Sequence, residues 1–261
     1  MELTLRGKNA LVCGSTKGIG LAIARELALS GAACTLISRN EESLKKAIAT
    51  LDQSGGQQHD FLVADFSKYQ EVEKVVSAYV QHKTINILIN NTGGPAGGPV
   101  TEAAPEAFLQ AFQQHLICNQ VLTQLVVPGM KASGYGRIVN VISTSVKIPL
   151  KGLGVSNTIR GAVASWAKTM ANELGAFGIT VNNILPGATA TARLEAIIHN
   201  KMSKTGKTRE AIEAAMLQEI PMKRFGRPEE IAATAAFLAA PAAAYINGVS
   251  IPVDGGRTGS L

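Results

Sequence analysis

Seven short apolar runs rich in β-branched residues recur along the chain, at 9–13, 34–38, 60–64, 85–89, 137–142, 179–185 and 249–253. Unbroken apolar runs of this length predict strands buried on both faces rather than strands with one wet face. Between them the period changes. GLAIARELALSG (20–31) and EEIAATAAFLAA (229–240) repeat their apolar residues at helical spacing. Alternation of the two patterns predicts crossover units, and hence an α/β domain with a parallel sheet of about seven strands and helices on both faces. One segment breaks the rhythm. From about 193 to 228 the chain is polar and Lys-rich, with KMSKTGKTRE at 201–210, and an insertion there predicts a substrate loop or lid.

The 261 residues, 46% of them hydrophobic, suffice to bury one core, and neither a linker nor an internal repeat divides them. A single domain, 1–261, is expected. The formal charge of +6 comes from Lys and Arg scattered along the chain with few aromatics between them. That pattern predicts a solvated basic surface that steers an anionic cofactor or acyl substrate, with no nucleic acid partner. MELTLRGKNA at the start lacks the features of a secretory signal, and no apolar run is long enough to span a bilayer, so a cytoplasmic protein with no membrane partner is expected. Cys13, Cys34 and Cys118 show no CxxC spacing. They predict reduced, structural thiols and no metal site.

The first strand runs into CGSTKGIG, where Gly14, Gly18 and Gly20 precede an Ala/Leu-rich helix. Glycines there let the chain turn sharply, let the backbone approach a pyrophosphate, and let the helix pack tightly on the sheet, while the helix N-terminus offers free N–H groups to phosphate. Ser15, Thr16, Lys17 and Ile19 fill the rest of the turn. The second strand ends in Ser38-Arg39, with Arg39 nineteen residues after Gly20 and no carboxylate at the tip. A dinucleotide fold reads the adenine ribose at about that distance, and arginine there suits the 2′-phosphate, so NADP(H) is expected over NAD(H).

GSTKGIG after strand one, Asp65 after strand three, NNTGG (90–94) after strand four, a serine after strand five, and LPGATAT (185–191) after strand six form an ordered set. With RFGRPEEIA (224–232) and NGVSIPVDGG (247–256), this set resembles the short-chain dehydrogenase/reductase family along essentially the whole chain, most of all its 3-oxoacyl-(acyl-carrier-protein) reductase type. The resemblance implies a Rossmann-type doubly wound sheet and assigns roles. Gly14 to Gly20 would hold the pyrophosphate, Ser38 and Arg39 the 2′-phosphate, Asp65 and Phe66 the adenine border, and Asn91 and Gly93 the adenosine ribose. Pro186, Gly187, Thr189 and Thr191 would meet the nicotinamide. It also implies a homotetramer (or homodimer) built on two long helices, about 102–131 and 156–174.

The catalytic end departs from the family, whose chemistry uses Ser, Tyr and Lys, the last two as YxxxK, with an Asn on the preceding long helix. Ser143 matches the serine. Where the tyrosine belongs stands Ser156, where the lysine belongs stands Arg160, and the asparagine position falls on His115. Serine is a far weaker acid than a phenol, and arginine stays protonated near neutrality, so the usual proton relay is missing. Arg160 can still contact the nicotinamide ribose and lend charge to a developing oxyanion, with Ser143 and Ser156 orienting a carbonyl. His115 is either the acid of a water-mediated route to Ser156 or a plain hydrogen-bonded helix residue. Ser156 is either a substrate contact or a helix N-cap. Lys147 and Lys151 lie in the connecting loop.

The function expected is NADP(H)-dependent hydride transfer to a ketone or 3-oxoacyl carbonyl, with a non-standard proton donor. The partner is then a small-molecule carbonyl or alcohol, or an acyl thioester. A catalytically inactive NADP(H)-binding sensor or scaffold is the alternative, and a different reaction on the same bound nucleotide stays open.

Overall fold

The computed structural model describes residues 1–260. Its sheet has seven parallel strands: β1 (Asn9–Cys13), β2 (Ala33–Ser38), β3 (Asp60–Val63), β4 (Ile87–Asn90), β5 (Gly136–Val141), β6 (Ile179–Pro186) and β7 (Ser250–Val253). The order is β3-β2-β1-β4-β5-β6-β7. Each central strand is buried on both faces, which is why it reads as an apolar run with no alternation. Helices α1 (Gly18–Leu29), α2 (Glu41–Ile48) and α9 (Pro228–Ala239) cover one face through Ile23, Leu27, Leu44, Ile231 and Leu238. On the other face α3 (Tyr69–Val80), α5 (Cys118–Ser133) and α6 (Gly154–Leu174) pack Val72, Val76, Leu122, Val126, Ala167 and Ala171. The sheet is a Rossmann-type, doubly wound α/β layer, as expected.

The strand order reverses between β1 and β4, and the crevice at their carboxyl ends is where ligands bind in such sheets. Close to that edge a chain of amides crosses four strands. Asn90 Nδ2 donates to Asn140 Oδ1 (2.8 Å), Asn140 Nδ2 to Asn183 Oδ1 (2.9 Å), and Asn183 Nδ2 to Ser250 Oγ (3.1 Å). The strand register makes this possible by setting Asn90 opposite Asn140, Asn140 opposite Asn183, and Asn183 opposite Ser250. A buried amide is tolerated only when paired. The ladder therefore ties the strands beneath the site into one register.

Two regions differ from the sequence reading. The long helix expected at about 102–131 is divided into α4 (Pro105–Phe112), a wide π-helical turn (Gln113–Ile117) and α5. Pro105, at the first position of α4, sets its start, because proline is pre-shaped for a helix N-terminus. The 193–228 insertion holds two helices, α7 (Ala192–Thr205) and α8 (Arg209–Gln218). Leu194, Ile198 and Ile212 form a small core between them, and Arg209 joins them by reaching Glu195 (2.8 Å) and Glu213 (2.6 Å). No helix among the described residues is long and apolar enough to cross a membrane.

Candidate active site

The phosphate end is built where β1 turns into α1. Gly14 has φ +57°, and a Cβ on it would stand 2.4 Å from Asn91 O; a Cβ on Gly20 would stand 2.3 Å from Gly14 O. Only glycine fits either place. Asn91 Nδ2 donates to the carbonyls of Cys13 and Gly14 (both 3.2 Å), so its amide clamps the turn to the end of β4 instead of facing outward. Lys17 flanks α1 without capping it, no acidic residue occupies the first turn, and the buried Ser15 Oγ has no partner. An uncapped helix end, an orphaned hydroxyl and a glycine turn closed against its neighbour fit a pyrophosphate. Thr16 and Ile19 are half-buried in the same turn, and a Cβ on Gly18 would lie 3.4 Å from Thr191 Cγ2.

At the adenine end, Arg39 is exposed past the half-buried Ser38, and among the described residues it makes no ion pair. Ser67 N–H donates to Asp65 Oδ1 (2.9 Å) and holds that carboxyl below its usual range, with Arg39 adding to the effect. Phe66 buries its ring in the core and accepts at its carbonyl from the Cys118 thiol (3.3 Å). Burial pushes all three thiols up, Cys34 and Cys118 to about 12, so they stay protonated and unreactive. Gly93 is exposed and open on its Cβ side.

At the nicotinamide end, Pro186 closes β6, Gly187 N–H donates to Val253 O (3.0 Å), and the hydroxyls of Thr189 and Thr191 bond carbonyls within the turn. Their lone pairs remain free to accept from a carboxamide.

The catalytic end gathers residues from four elements. Ser143 follows β5 and caps a short 3₁₀ turn, its Oγ accepting from Ser145 N–H (3.1 Å). Ser156 and Arg160 lie one turn apart on α6, both buried. The N-cap reading of Ser156 fails, because α6 starts at Gly154 with Leu153 at the cap; among the described residues the Ser156 hydroxyl has no partner and is free for a ligand. Arg160 Nη1 donates to Val141 O (3.1 Å) at the end of β5. Burial, then the neighbouring Arg193, lowers its pKa to about 10. It remains a cation at neutral pH.

His115 occupies the π-helical turn, a local widening that recurs at functional sites. Its ring is buried, Nδ1 lies 2.6 Å from Thr92 Oγ1, and Nε2 has no partner. Burial and the charge of Arg160 hold its pKa near about 3. Of the two readings of His115, this disfavours an acid that titrates near neutrality and favours a neutral, hydrogen-bonded imidazole. Lys147 and Lys151 are exposed on the connection before α6.

No phenol stands among these residues. Tyr79 is bonded to Thr35 Oγ1 (2.8 Å) and Tyr135 to Ala239 O (2.5 Å), Tyr69 opens α3, and Tyr245 is fully exposed. Three participants were missed by sequence reasoning: Thr92, which partners His115; Ser145, whose buried Oγ is unpaired; and Arg193, whose guanidinium approaches Arg160 beside Gly94. Thr92 lies within NNTGG and Ser145 two residues past Ser143, but nothing along the chain links Arg193 to Arg160.

A family model described as enoyl-(acyl carrier protein) reductase matches residues 14–258. Dehydrogenase/reductase SDR family member 4 of Oryctolagus cuniculus is 33% identical over 259 residues, 98% of this chain and 96% of that protein. The L-sorbose reductase of Gluconobacter frateurii, solved with NADPH and L-sorbose, superposes with a TM-score of 0.92 at 30% identity, covering 100% of both chains. A single-substitution variant of the actinorhodin polyketide ketoreductase, solved with NADPH, gives 0.90 at 30% identity over 97% of this chain and 98% of its own. With this fold, this glycine turn and these matches along nearly its full length, the chain belongs to the short-chain dehydrogenase/reductase family of oxidoreductases.

Proposed function

We propose that this protein is an NADP(H)-dependent oxidoreductase that reduces a carbonyl compound of 3-oxoacyl or related type, and that it stabilises the developing oxyanion with a guanidinium in place of a phenol and an ammonium. The carrying observation is Arg160: a buried cation with no carboxylate partner among the described residues, held by Val141 O beside Ser143 and Ser156. NADP(H) fits the glycine turn with its orphaned Ser15 hydroxyl, and the unpaired Arg39 suits a 2′-phosphate. The NADPH complexes of the two solved relatives support the same choice.

When bound, NADPH supplies the hydride. The chain supplies the rest. Ser143 and Ser156 donate to the carbonyl oxygen and orient it, and Arg160 offers charge where negative charge develops, among buried side chains where that charge counts for more than in water. Neutral His115, fixed by Thr92, keeps an unpaired ring nitrogen in the same neighbourhood and contributes a hydrogen bond rather than an imidazolium proton. The alkoxide then takes its proton from water. Mixing the protein with NADPH and a panel of ketones and 3-oxoacyl thioesters tests this by loss of reduced-nicotinamide absorbance; tight NADPH binding with no oxidation across the panel favours the inactive binding protein instead.

A second reading follows from the absence of a phenol together with the family model's own description. Hydride addition to a carbon–carbon double bond conjugated to a carbonyl places charge on the same oxygen, as an enolate, and the proton arrives from water at carbon. Including conjugated enones in the panel separates the two.

A further inference from the structure

Two guanidiniums converge at the mouth of this site, and nothing negative meets them. Arg160 comes from the start of α6 and Arg193 from the first turn of α7. A Cβ on Gly94 would lie 3.4 Å from Arg193 Nη2 and 3.7 Å from Arg160 Nη2. Gly94 has no side chain, so the point that both nitrogens reach is open. Arg193 is anchored over the 91–95 loop by donating to Pro95 O (2.8 Å). Neither arginine makes an ion pair among the described residues, and the carboxylate nearest in sequence to Arg193, that of Glu195, is engaged by Arg209 (2.8 Å). Burial and the mutual repulsion of the pair disfavour the charge on Arg160, the opposite of what a structural ion pair does. Such an arrangement is relieved by a ligand that brings the missing charge, and two planar forks suit a carboxylate.

We propose that the substrate of this site is an oxo acid: Arg160 meets its carbonyl oxygen, Arg193 holds its carboxylate, and the space left by Gly94 admits the latter. The spacing suits a carboxylate one or two carbons from the carbonyl, a 2-oxo or 3-oxo acid. This rests on the oxidoreductase reading above. The cofactor's phosphates are the other source of negative charge, and the test separates the two.

Phenylpyruvate and acetoacetate are compared with their methyl esters as oxidants of NADPH, in the wild type, Arg193→Gln and Arg193→Lys. The wild type is expected to prefer the acid by about 100-fold in kcat/KM in at least one pair, Arg193→Gln to cut that preference by about 10- to 100-fold, and Arg193→Lys to restore part of it. An acid-to-ester ratio unmoved by Arg193→Gln overturns the proposal. So does an equal loss on acid and ester together with weakened NADPH binding, which assigns Arg193 to the cofactor's phosphates. Calorimetry of the same acids and esters against NADP⁺-saturated protein reads the anion site without turnover. Acid binding that exceeds ester binding and depends on Arg193, with no NADPH oxidation, refutes the hydride-transfer reading and leaves the carboxylate site standing. Equal binding of acid and ester, or binding of neither, refutes the site.

Discussion

Replacing Arg160 by methionine removes one charge at nearly constant volume and has opposite effects on stability and activity. Burial, then the neighbouring Arg193, hold Arg160 at about 10, well below the ordinary guanidinium range. A folded-state pKa below the unfolded one means that the charge destabilises the fold by about 3 kcal/mol. That cost applies throughout the pH range below about 10 and is relieved only as pH rises from there toward the ordinary guanidinium range. Against it stands one hydrogen bond, to Val141 O, whose loss costs about 1–2 kcal/mol. The variant without ligands is therefore expected to gain about 1–2 kcal/mol, a rise in Tm of roughly 2–6 °C by scanning fluorimetry. On the best substrate of the panel, kcat should fall by about 10²–10³, the loss expected when one oxyanion donor is removed. A lower Tm would mean that Arg160 is a structural member of the β5–α6 junction, and an unchanged kcat would mean that its charge is not aimed at the reaction.

With His115 near about 3 and Arg160 near about 10, kcat is expected to stay flat from about pH 4 to pH 9; a break near 6.5 would identify His115 as a titrating acid. Asn140→Leu leaves Asn90 Nδ2 and Asn183 Oδ1 unpaired in the sheet, which should cost about 2–4 kcal/mol in denaturant unfolding; a loss below about 1 kcal/mol would show the ladder to be incidental. Arg39→Asp should lower the preference for NADPH over NADH by about 10- to 100-fold in Kd, and an unchanged ratio would contradict the 2′-phosphate assignment.

The parallel sheet was legible because strands buried on both faces leave an apolar run and little else; all seven lie within two residues of their expected bounds. The π-helical turn was not, since one extra residue in a helix leaves its apolar pattern nearly intact. Helices α7 and α8 were hidden by their polar, Lys-rich surface, as only Leu194, Ile198 and Ile212 among their residues are buried. The asparagines of β4, β5 and β6 each look like a misfit in an apolar run, and their meaning appears only once the register sets them side by side. At the site, the four-residue spacing of Ser156 and Arg160 was visible in the sequence. Its electrostatic consequence was not, because the charge beside Arg160 comes from Arg193, and only the packing of α7 over the 91–95 loop brings the two together.

In the chemistry we propose, a fixed guanidinium stabilises negative charge on the substrate oxygen, and no proton neutralises it in the same step. Single-turnover NADPH oxidation tests it most directly, comparing cofactor deuterated at the transferred position with the same reaction in heavy water. A clear isotope effect from the cofactor and none from the solvent are expected; a solvent isotope effect on the same step, multiplying that of the cofactor, would show a proton in flight with the hydride and overturn the guanidinium's role.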